Sequence, residues 1–551
     1  MKTKIYCLNR SQTIVLVAVA IMTANMSPSV SAQDAATNSD AVTAANPAQT
    51  NRVQNARRAG RSAAVAVAVT HLPAIPPGPV QPTWESIRAN YKDPDWFRDG
   101  KFGIMMHWGI YSVPAHGSEW YVRYMYGGNA GIMRWHTEHF GSPTNFGYKD
   151  FFPMFTAAKW EPDAWAKLFK DAGAKYVIAS GEHHDGFSNW KSDINKFNSF
   201  NYGPHRDLVG DLTAAVRKVG LKTGVANHSN PHFDFIPALP GSDQFDPEWA
   251  AFYSVADRSD AAYAKFVEMW TTKNMELIDK YQPDMLWFDF NGSDRSWDPL
   301  KVRLAAYYYN RAAAWGKQVA ISSKGQSFLA GMLMDYERQG RAPKKLTDYT
   351  WQPDDPIADK FGYVEVPDAD GKMVGLPLKS PGGIVGNLVN NVSRNGNYLL
   401  NISPKADGTI PEAQQQVLLA IGKWLGVNGD AIYGTRPWKM SEEGRVRFTT
   451  KGQTLYAISL AWPANNELVI PALGEGKSLE GKIAKVELLG HDGALEFTQD
   501  ADGLKVKFPA EKPCNYAYSL KISGLKLPPA AASIPVDPAT LPSDATGIIQ
   551  Q

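Results

Sequence analysis

The stretch PDAWAKLFKDAGAKYVIAS, residues 162–180, places a helical pattern directly before a strand pattern. The apolar side chains that share one helical face are Trp165, Leu168, Phe169 and Ala172. Pro162 suits the first turn of a helix, and Gly173 suits the end of one. The run KYVIAS (175–180) that follows is largely apolar, as expected for a buried strand. A helix that leads straight into a buried strand is typical of a parallel α/β fold.

The same alternation continues on both sides of this stretch. Further strand patterns occur in FGIMMHW (102–108), LKTGVAN (221–227), DMLWFDF (284–290) and QVAISS (318–323). No glycine-rich dinucleotide or phosphate loop follows the first strand, which favours a barrel over a doubly wound sheet. We therefore predict an α/β fold, with a TIM-like (β/α) barrel over residues 83–434.

The regions that flank the barrel have different compositions. After about residue 435, alternating runs such as TLYAISLAW (454–462) are separated by Gly, Asn and Asp turns, which predicts an antiparallel β-sandwich over 435–527. Residues 33–82 are rich in Ala, Asn, Ser and Arg, and the sequence predicts a disordered linker there. Residues 528–551 have a similar composition and predict a flexible tail.

The first 32 residues have the pattern of a secretory signal peptide. Lys2, Lys4 and Arg10 precede the apolar run TIVLVAVAIM (13–22), and Val30-Ser31-Ala32 forms a small-residue cleavage site. The alternative is an N-terminal helix packed on the domain. Cleavage after Ala32 would remove Cys7 and leave Cys514 as the one cysteine, so we expect an exported, periplasmic or secreted protein without an intrachain disulfide.

Composition excludes several classes of function. The 551 residues include 57 Lys and Arg against 55 Asp and Glu, and a formal charge of +2 argues against general nucleic-acid binding. Two cysteines exclude a four-thiolate zinc site. The apolar run near the N-terminus is too short to span a membrane.

Polar residues that could carry chemistry recur where the predicted strands end. They are His107, His183, His184, Asn227, His228 and Asp289. In a barrel these positions would meet at the carboxyl-terminal rim, where active sites are built. Asp289 lies in the apolar run MLWFDF, where a carboxylate is costly without a partner or a role. Glu119-Trp120 could be a loop ion pair beside an aromatic ring, or a clamp that binds a sugar.

The histidines have three interpretations. They could gather around a metal ion, hydrogen-bond a substrate as neutral rings, or be structural. Adjacent strand residues such as His183 and His184 point to opposite sides, and no H-x-H or H-E-x-x-H spacing is present, so we expect no metal.

At these residues the chain resembles the α-L-fucosidases of glycoside hydrolase family 29. The matching segments are WFRDGKFGIMMHWGIYSVPAHGSEWY (96–121), AKYVIASGEHHDGFSNWKS (174–192), PDMLWFDF (283–290), LVNNVSRNGNYLLNISPKADGTIPE (388–412) and GKWLGVNGDAIYGTRPW (422–438). The resemblance implies a barrel followed by a β-sandwich, no cofactor, and fucosylated oligosaccharides or glycoconjugates as substrates.

The resemblance also implies roles for individual residues. Asp289 would be the nucleophile of a retaining, two-carboxylate reaction. The fucose-binding residues would be His107, Glu119, Trp120, His183, His184 and Trp287. The sequence departs from the family in two places: Asn227 and His228 stand where many relatives have a tyrosine, and Lys324 stands where relatives often have an arginine. We include Asn227 and His228 among the predicted binding residues.

Glu337 is the predicted acid/base. It lies in LMDYERQGR (333–341), about one strand–helix unit after Asp289, and D-Y-E resembles the family's acid/base segment. The alternatives are an ion pair of Glu337 with Arg338 or Arg341, and an acid/base role for Asp335 or another loop carboxylate. Two other functions compete with a fucosidase: a catalytically inactive fucose-binding protein and a metal-dependent hydrolase.

Overall fold

Eight parallel strands form a closed barrel in the computed structural model, which describes residues 47–290, 295–477, 479–529, 532 and 534–540. The barrel strands are β1 (Phe102–Met106), β2 (Tyr176–Glu182), β3 (Lys222–Asn227), β4 (Met285–Phe288), β5 (Ala320–Lys324), β6 (Leu333–Glu337), β7 (Trp351–Pro356) and β10 (Tyr398–Ile402). Their order around the barrel is β1-β10-β7-β6-β5-β4-β3-β2, so β1 closes the barrel on β10. This architecture confirms the predicted α/β barrel.

Helices surround or precede these strands. They are α1 (Pro47–His71), α2 (Trp84–Asn90), α3 (Asp95–Gly100), α4 (Tyr121–Arg123), α5 (Ala130–Phe140), α6 (Pro162–Asp171), α7 (Leu208–Lys218), α8 (His232–Phe235), α9 (Ala250–Tyr253), α10 (Asp260–Tyr281), α11 (Asp298–Trp315), α12 (Pro381–Ser393) and α13 (Glu412–Asn428). Helix α6 is the one that the stretch 162–180 predicts, with Pro162 in its first turn and Trp165 and Phe169 buried.

Side chains fill the barrel interior as a packed core. The interior cluster contains Phe97, Met105, Tyr176, Ile178, Ala226, Met285, Trp287, Ala320, Leu333 and Leu399. Because successive strand residues point to opposite faces, the neighbours of these residues face the helices instead. This alternation decides which polar side chains can reach the rim.

The region after the barrel is antiparallel, which confirms the sandwich prediction. A five-stranded sheet has the order β11-β12-β13-β18-β15, and a three-stranded sheet has the order β14-β17-β16. These strands are β11 (Arg436–Glu443), β12 (Val446–Lys451), β13 (Thr454–Ser459), β14 (Glu467–Ile470), β15 (Gly481–Leu488), β16 (Phe497–Asp500), β17 (Gly503–Lys507) and β18 (Tyr518–Leu525). A small hairpin, β8 (Glu365–Pro367) and β9 (Met373–Gly375), lies in the loop after β7.

Two segments differ from the sequence-based predictions. Helix α1 occupies part of the predicted linker 33–82, and Ala64, Val65 and Ala68 on it are buried. The run SAAVAVAV (62–69) supplies small apolar side chains at helical spacing. The average composition of residues 33–82 is polar and does not reveal this short run. In the predicted tail 528–551, Val536 is buried and Asp537 lies 3.5 Å from Arg88.

The predicted signal peptide, residues 1–32, lies outside the described residues, as do residues 541–551 of the tail. Among the helices that the structure describes, none combines the length and the apolar character needed to cross a membrane.

Candidate active site

The carboxyl ends of the barrel strands carry most of the predicted site residues. His107 directly follows β1, His183 and His184 follow β2, His228 follows β3, Asp289 follows β4, and Lys324 and Glu337 are the last residues of β5 and β6. The parallel arrangement places these strand ends at one rim, so the structure brings the polar side chains together.

Asp289 lies between a cation and an imidazole. Its Oδ1 accepts a hydrogen bond from Lys324 Nζ at 2.8 Å, and its Oδ2 lies 3.6 Å from His184 Nε2. Burial alone would raise the pKa of Asp289, but the Lys324 ammonium holds it well below the usual range. The carboxylate is therefore ionised at neutral pH.

Glu337 also contacts the Lys324 ammonium. Its Oε2 lies 3.4 Å from Lys324 Nζ and 3.5 Å from Arg341 Nη1, so the ion pair with Arg341 that the sequence left open is present. Arg338 instead donates to the backbone oxygen of Asp359. Because Asp289 Oδ1 and Glu337 Oε2 both contact one Nζ atom, they are at most about 6 Å apart. The ion pair with Arg341 therefore leaves Glu337 beside Asp289.

Three buried imidazoles line the other side of the site. The ring of His107 lies 5.3 Å from that of His183 and 4.7 Å from that of His228. Burial lowers the pKa of His107, and it lowers those of His183 and His228 well below the ordinary value, so all three rings are neutral at neutral pH. His107 Nδ1 lies 2.6 Å from Asn401 Oδ1. Among the described residues, His183 Nδ1 and His228 Nε2 are buried without a hydrogen-bond partner.

Such a cluster could bind either hydroxyl groups or a metal ion. The ring nitrogens of His107, His183 and His228 all lie within 4.8 Å of one another, and neutral imidazole is a common metal ligand. His183 and His184 lie after the end of β2, where strand alternation no longer applies, and their rings are 4.4 Å apart. His184 still faces elsewhere, because its Nδ1 bonds the His228 carbonyl at 2.6 Å and its Nε2 faces Asp289.

Glu119 and Trp120 lie at the edge of the same pocket. The backbone N–H of Gly362 donates to Glu119 Oε2 at 3.0 Å, which ties the loop after β1 to the loop after β7. The Trp120 ring is 5.6 Å from the His184 ring and 5.3 Å from Phe235. These two aromatic rings give the pocket an apolar wall beside the nucleophile candidate.

Trp287 lies one layer below this pocket. Its ring is fully buried and lies 4.8 Å from the His228 ring. The Lys324 ammonium lies over it, 5.0 Å from the ring centre. Its indole N–H donates to Asp335 Oδ2 at 2.8 Å. Trp287 therefore supports His228 and Lys324 from beneath.

The side chain of Asn227, one of the predicted binding residues, faces away from the clustered histidines. Ala226 belongs to the interior cluster, so the next residue on β3 points toward the helices. The Asn227 side-chain oxygen accepts from the Ser229 hydroxyl and N–H, both at 2.8 Å, and its amide faces Asn274 of α10 at 3.3 Å. Its polar groups thus fix the loop that carries His228 rather than face the pocket.

The sequence did not single out Asn401, and it left Asp354 among the loop carboxylates without a distinct role. Asn401 follows the apolar residues Tyr398, Leu399 and Leu400 on β10, so the pattern that singled out Asp289 could have found it. Asp354 lies in WQPDDP (351–356), where two prolines and two aspartates give no strand signal. Phe235 at the end of α8 and Phe361 in the loop after β7 also contact site histidines, and the sequence around them gives no indication of it.

Comparison with known proteins identifies the family. Residues 68–430 match the family described as Alpha-L-fucosidase, and residues 440–523 match the Alpha-L-fucosidase C-terminal domain. The chain is 34% identical to the tissue alpha-L-fucosidase of Homo sapiens over 82% of this chain and 94% of that protein. It is 29% identical to an alpha-L-fucosidase of Branchiostoma floridae over 81% and 96% of the two chains.

A solved structure shows the same similarity. The crystal structure of Thermotoga maritima alpha-fucosidase in complex with fucose aligns with a TM-score of 0.66 at 33% identity, covering 80% of this chain and 100% of that one. The two family models together cover the barrel that builds the site and the sheets that follow it. The chain belongs to the α-L-fucosidases of glycoside hydrolase family 29.

Proposed function

We propose that the protein is an exported, retaining α-L-fucosidase that hydrolyses terminal α-L-fucose from glycans. The observation that carries this proposal is the pair of carboxyl groups on Lys324, with oxygens of Asp289 and Glu337 at most about 6 Å apart. Retaining glycosidases hold their two carboxyl groups about 5–5.5 Å apart, whereas inverting enzymes need about 6.5–9.5 Å to admit a water molecule.

Asp289 attacks and Glu337 moves the proton in this mechanism. The Asp289 carboxylate forms a bond to the anomeric carbon while Glu337 donates its proton to the leaving glycosidic oxygen. The Glu337 carboxylate then takes a proton from water, whose oxygen displaces Asp289 from the same carbon. Two inversions return the α configuration.

The neutral histidines hold the sugar. His183 Nδ1 and His228 Nε2 lack partners among the described residues, and each can exchange a hydrogen bond with a ring hydroxyl. The rings of Trp120 and Phe235 provide an apolar surface for the face and methyl group of a 6-deoxy sugar.

Release of fucose from an aryl α-L-fucoside tests the proposed activity. We expect NMR of the first product to show the α anomer before mutarotation. Initial formation of the β anomer would contradict a retaining mechanism, and binding of fucose without turnover would indicate the inactive binding protein.

A metal-dependent hydrolase needs a separate test because of the three clustered histidines. We expect a strong chelator to leave turnover unchanged and elemental analysis to find no zinc. One zinc per chain that is lost together with activity would instead favour metal-assisted hydrolysis.

Export is supported by the basic, apolar and small-residue segments of 1–32. We expect N-terminal sequencing of the protein from the periplasm or medium to begin at Gln33. A cytoplasmic protein that retains Met1 would contradict this part of the proposal.

A further inference from the structure

Two further carboxyl groups lie beneath the pocket, on neighbouring strands. Asp335 on β6 and Asp354 on β7 are both fully buried. Asp335 has a full set of donors: Trp287 Nε1 at 2.8 Å, Gln352 Nε2 at 3.1 Å and the backbone N–H of Asp354 at 3.3 Å. These three hydrogen bonds suit an ionised carboxylate.

Asp354 lacks such a set. Its Oδ2 lies 3.9 Å from Lys324 Nζ, and its Oδ1 is buried without a hydrogen-bond partner among the described residues. A buried anionic oxygen without a partner is costly, whereas a protonated carboxyl group tolerates the same position far better. The surroundings of Asp354 therefore favour its neutral form.

The charged groups around Asp354 also favour its neutral form. Lys324 of β5 faces it, as do Asp335 and Glu337 of β6, and its neighbour in register on β10 is Leu399. Asp355 on its own strand is bound instead by Lys379 and Tyr398. Four carboxyl groups, including Asp289, thus surround one ammonium. Burial raises the pKa of Asp354 well above its usual value, and the negative charges of Asp335 and Glu337 oppose the lowering effect of Lys324.

We propose that Asp335 and Asp354 share a single proton, and that this pair positions the Lys324 ammonium between Asp289 and Glu337. The functional part of this inference rests on the catalytic roles proposed above. While the proton is present, the Lys324 ammonium lies between Asp289 and Glu337 at the rim. Loss of the proton places a full negative charge on Asp354, which draws Lys324 away from Asp289 and lowers activity on the alkaline side.

Infrared spectroscopy tests the shared proton without reference to catalysis. At neutral pH, the difference spectrum between wild type and Asp354→Asn should contain the C=O band of one protonated carboxylic acid. The matched control is Asp355→Asn on the same strand, because Asp355 is equally buried but has three donors, Gln339, Lys379 and Tyr398. A difference spectrum without that band, or with the same band in the control, would overturn the inference.

The pH dependence of kcat/KM on an aryl fucoside tests the positioning role. The amide of Asp354→Asn cannot ionise, so the alkaline limb of the profile should move to higher pH by at least about one unit. Asp335→Asn removes the neighbouring negative charge, so Asp354 then ionises at lower pH. The alkaline limb of the kcat/KM profile should therefore move to lower pH. Asp355→Asn should leave the limb in place.

Opposite shifts in the two variants are a result that a merely structural role would not produce. Superimposable alkaline limbs for wild type and Asp354→Asn would refute the positioning role. Full turnover by Asp289→Asn would refute the catalytic roles but leave the infrared result standing, so the two failures are distinguishable.

Discussion

Lys324 is the residue on which the geometry of the site converges. Its ammonium contacts Asp289, Glu337 and Asp354 and lies over the ring of Trp287. Lysine is a point charge on a flexible stem, so it can serve three carboxyl groups from one position, whereas a planar guanidinium has fixed donor directions. The departure from the family at this position therefore remains compatible with a two-carboxylate site.

Asp289→Asn should fold normally and lose turnover by at least about a hundredfold, because an amide cannot form the covalent intermediate. The amide is nearly isosteric, so fucose should still bind and the melting temperature should stay close to that of wild type. Steady-state kinetics and a fucose-binding titration measure these quantities. Retention of more than a few per cent of wild-type turnover would remove Asp289 from the nucleophile role.

Glu337→Ala should depend strongly on the leaving group. Without the acid, a fucosyl disaccharide should react far more slowly, while an activated aryl fucoside loses much less in the first step. Azide should restore turnover and give fucosyl azide of α configuration, identified by NMR.

Arg341→Gln is the matched control for Glu337→Ala, because it removes the ion pair of Glu337 but keeps the carboxyl group. Equal losses in both variants would show that Glu337 acts through that ion pair. A β-azide, or no azide rescue, would direct the search to Asp335 or another loop carboxylate.

At the scale of elements, the sequence predicted the first five barrel strands, which read as apolar runs, and did not predict β6, β7 or β10. The runs at 102–108, 175–180, 221–227, 284–290 and 318–323 became β1 to β5 with small shifts at their ends. WQPDDP could not be recognised as β7, because its prolines and aspartates contradict strand propensity and only its neighbours in the barrel stabilise it.

Prediction of the site residues also depended on apolar runs. Polar residues that end apolar runs were predictable, whereas contacts that depend on which way a side chain faces were not. Asn227 illustrates the limit, since only the position of Ala226 in the barrel interior shows that Asn227 faces α10. Asp354 is the opposite case, because a polar stretch concealed a side chain that lies next to Lys324.

Helix α1 provides a prediction about stability. Val65 is buried and Val67, two residues away on the same helix, is half exposed. Val65→Ala should lower the free energy of unfolding by about 1–3 kcal/mol, and Val67→Ala by no more than about 0.5 kcal/mol. Both variants change helix propensity equally, so the difference between their denaturation midpoints isolates packing. Equal midpoints would mean that this helix does not contribute to the core.

At the scale of the whole molecule, the two ends of the barrel have different roles. The carboxyl-terminal rim carries the candidate chemistry, while Lys101 lies at the opposite end, directly before β1. Lys101 is fully buried, and burial lowers its pKa to about 7. In the unfolded chain a lysine has a pKa near 10.4.

This difference fixes the sign of a pH effect. Between pH 7 and about 10.4 the unfolded state binds more protons at Lys101 than the folded state, so its contribution to stability rises with pH. Below pH 7 the burial of the ammonium is a constant cost. Lys101→Met should therefore raise the melting temperature at pH 7, and the gain should shrink toward pH 10.

Thermal scans at several pH values measure this gain, with Lys92→Met as the control because Lys92 is exposed. A gain that does not change with pH would show that packing, rather than charge, decides the effect at Lys101.

The closure of β1 on β10 also governs how the chain folds during its synthesis. Phe102 finds its partner Tyr398 only after the intervening residues have been made, which takes on the order of 15–60 s at about 5–20 residues per second. Once β7 has been made, β1 and β7 remain the edges of an open seven-stranded sheet until β10 follows, with unpaired backbone groups that can associate with other chains. The nascent chain is therefore most prone to aggregate in the interval before the five residues Tyr398–Ile402 have been made.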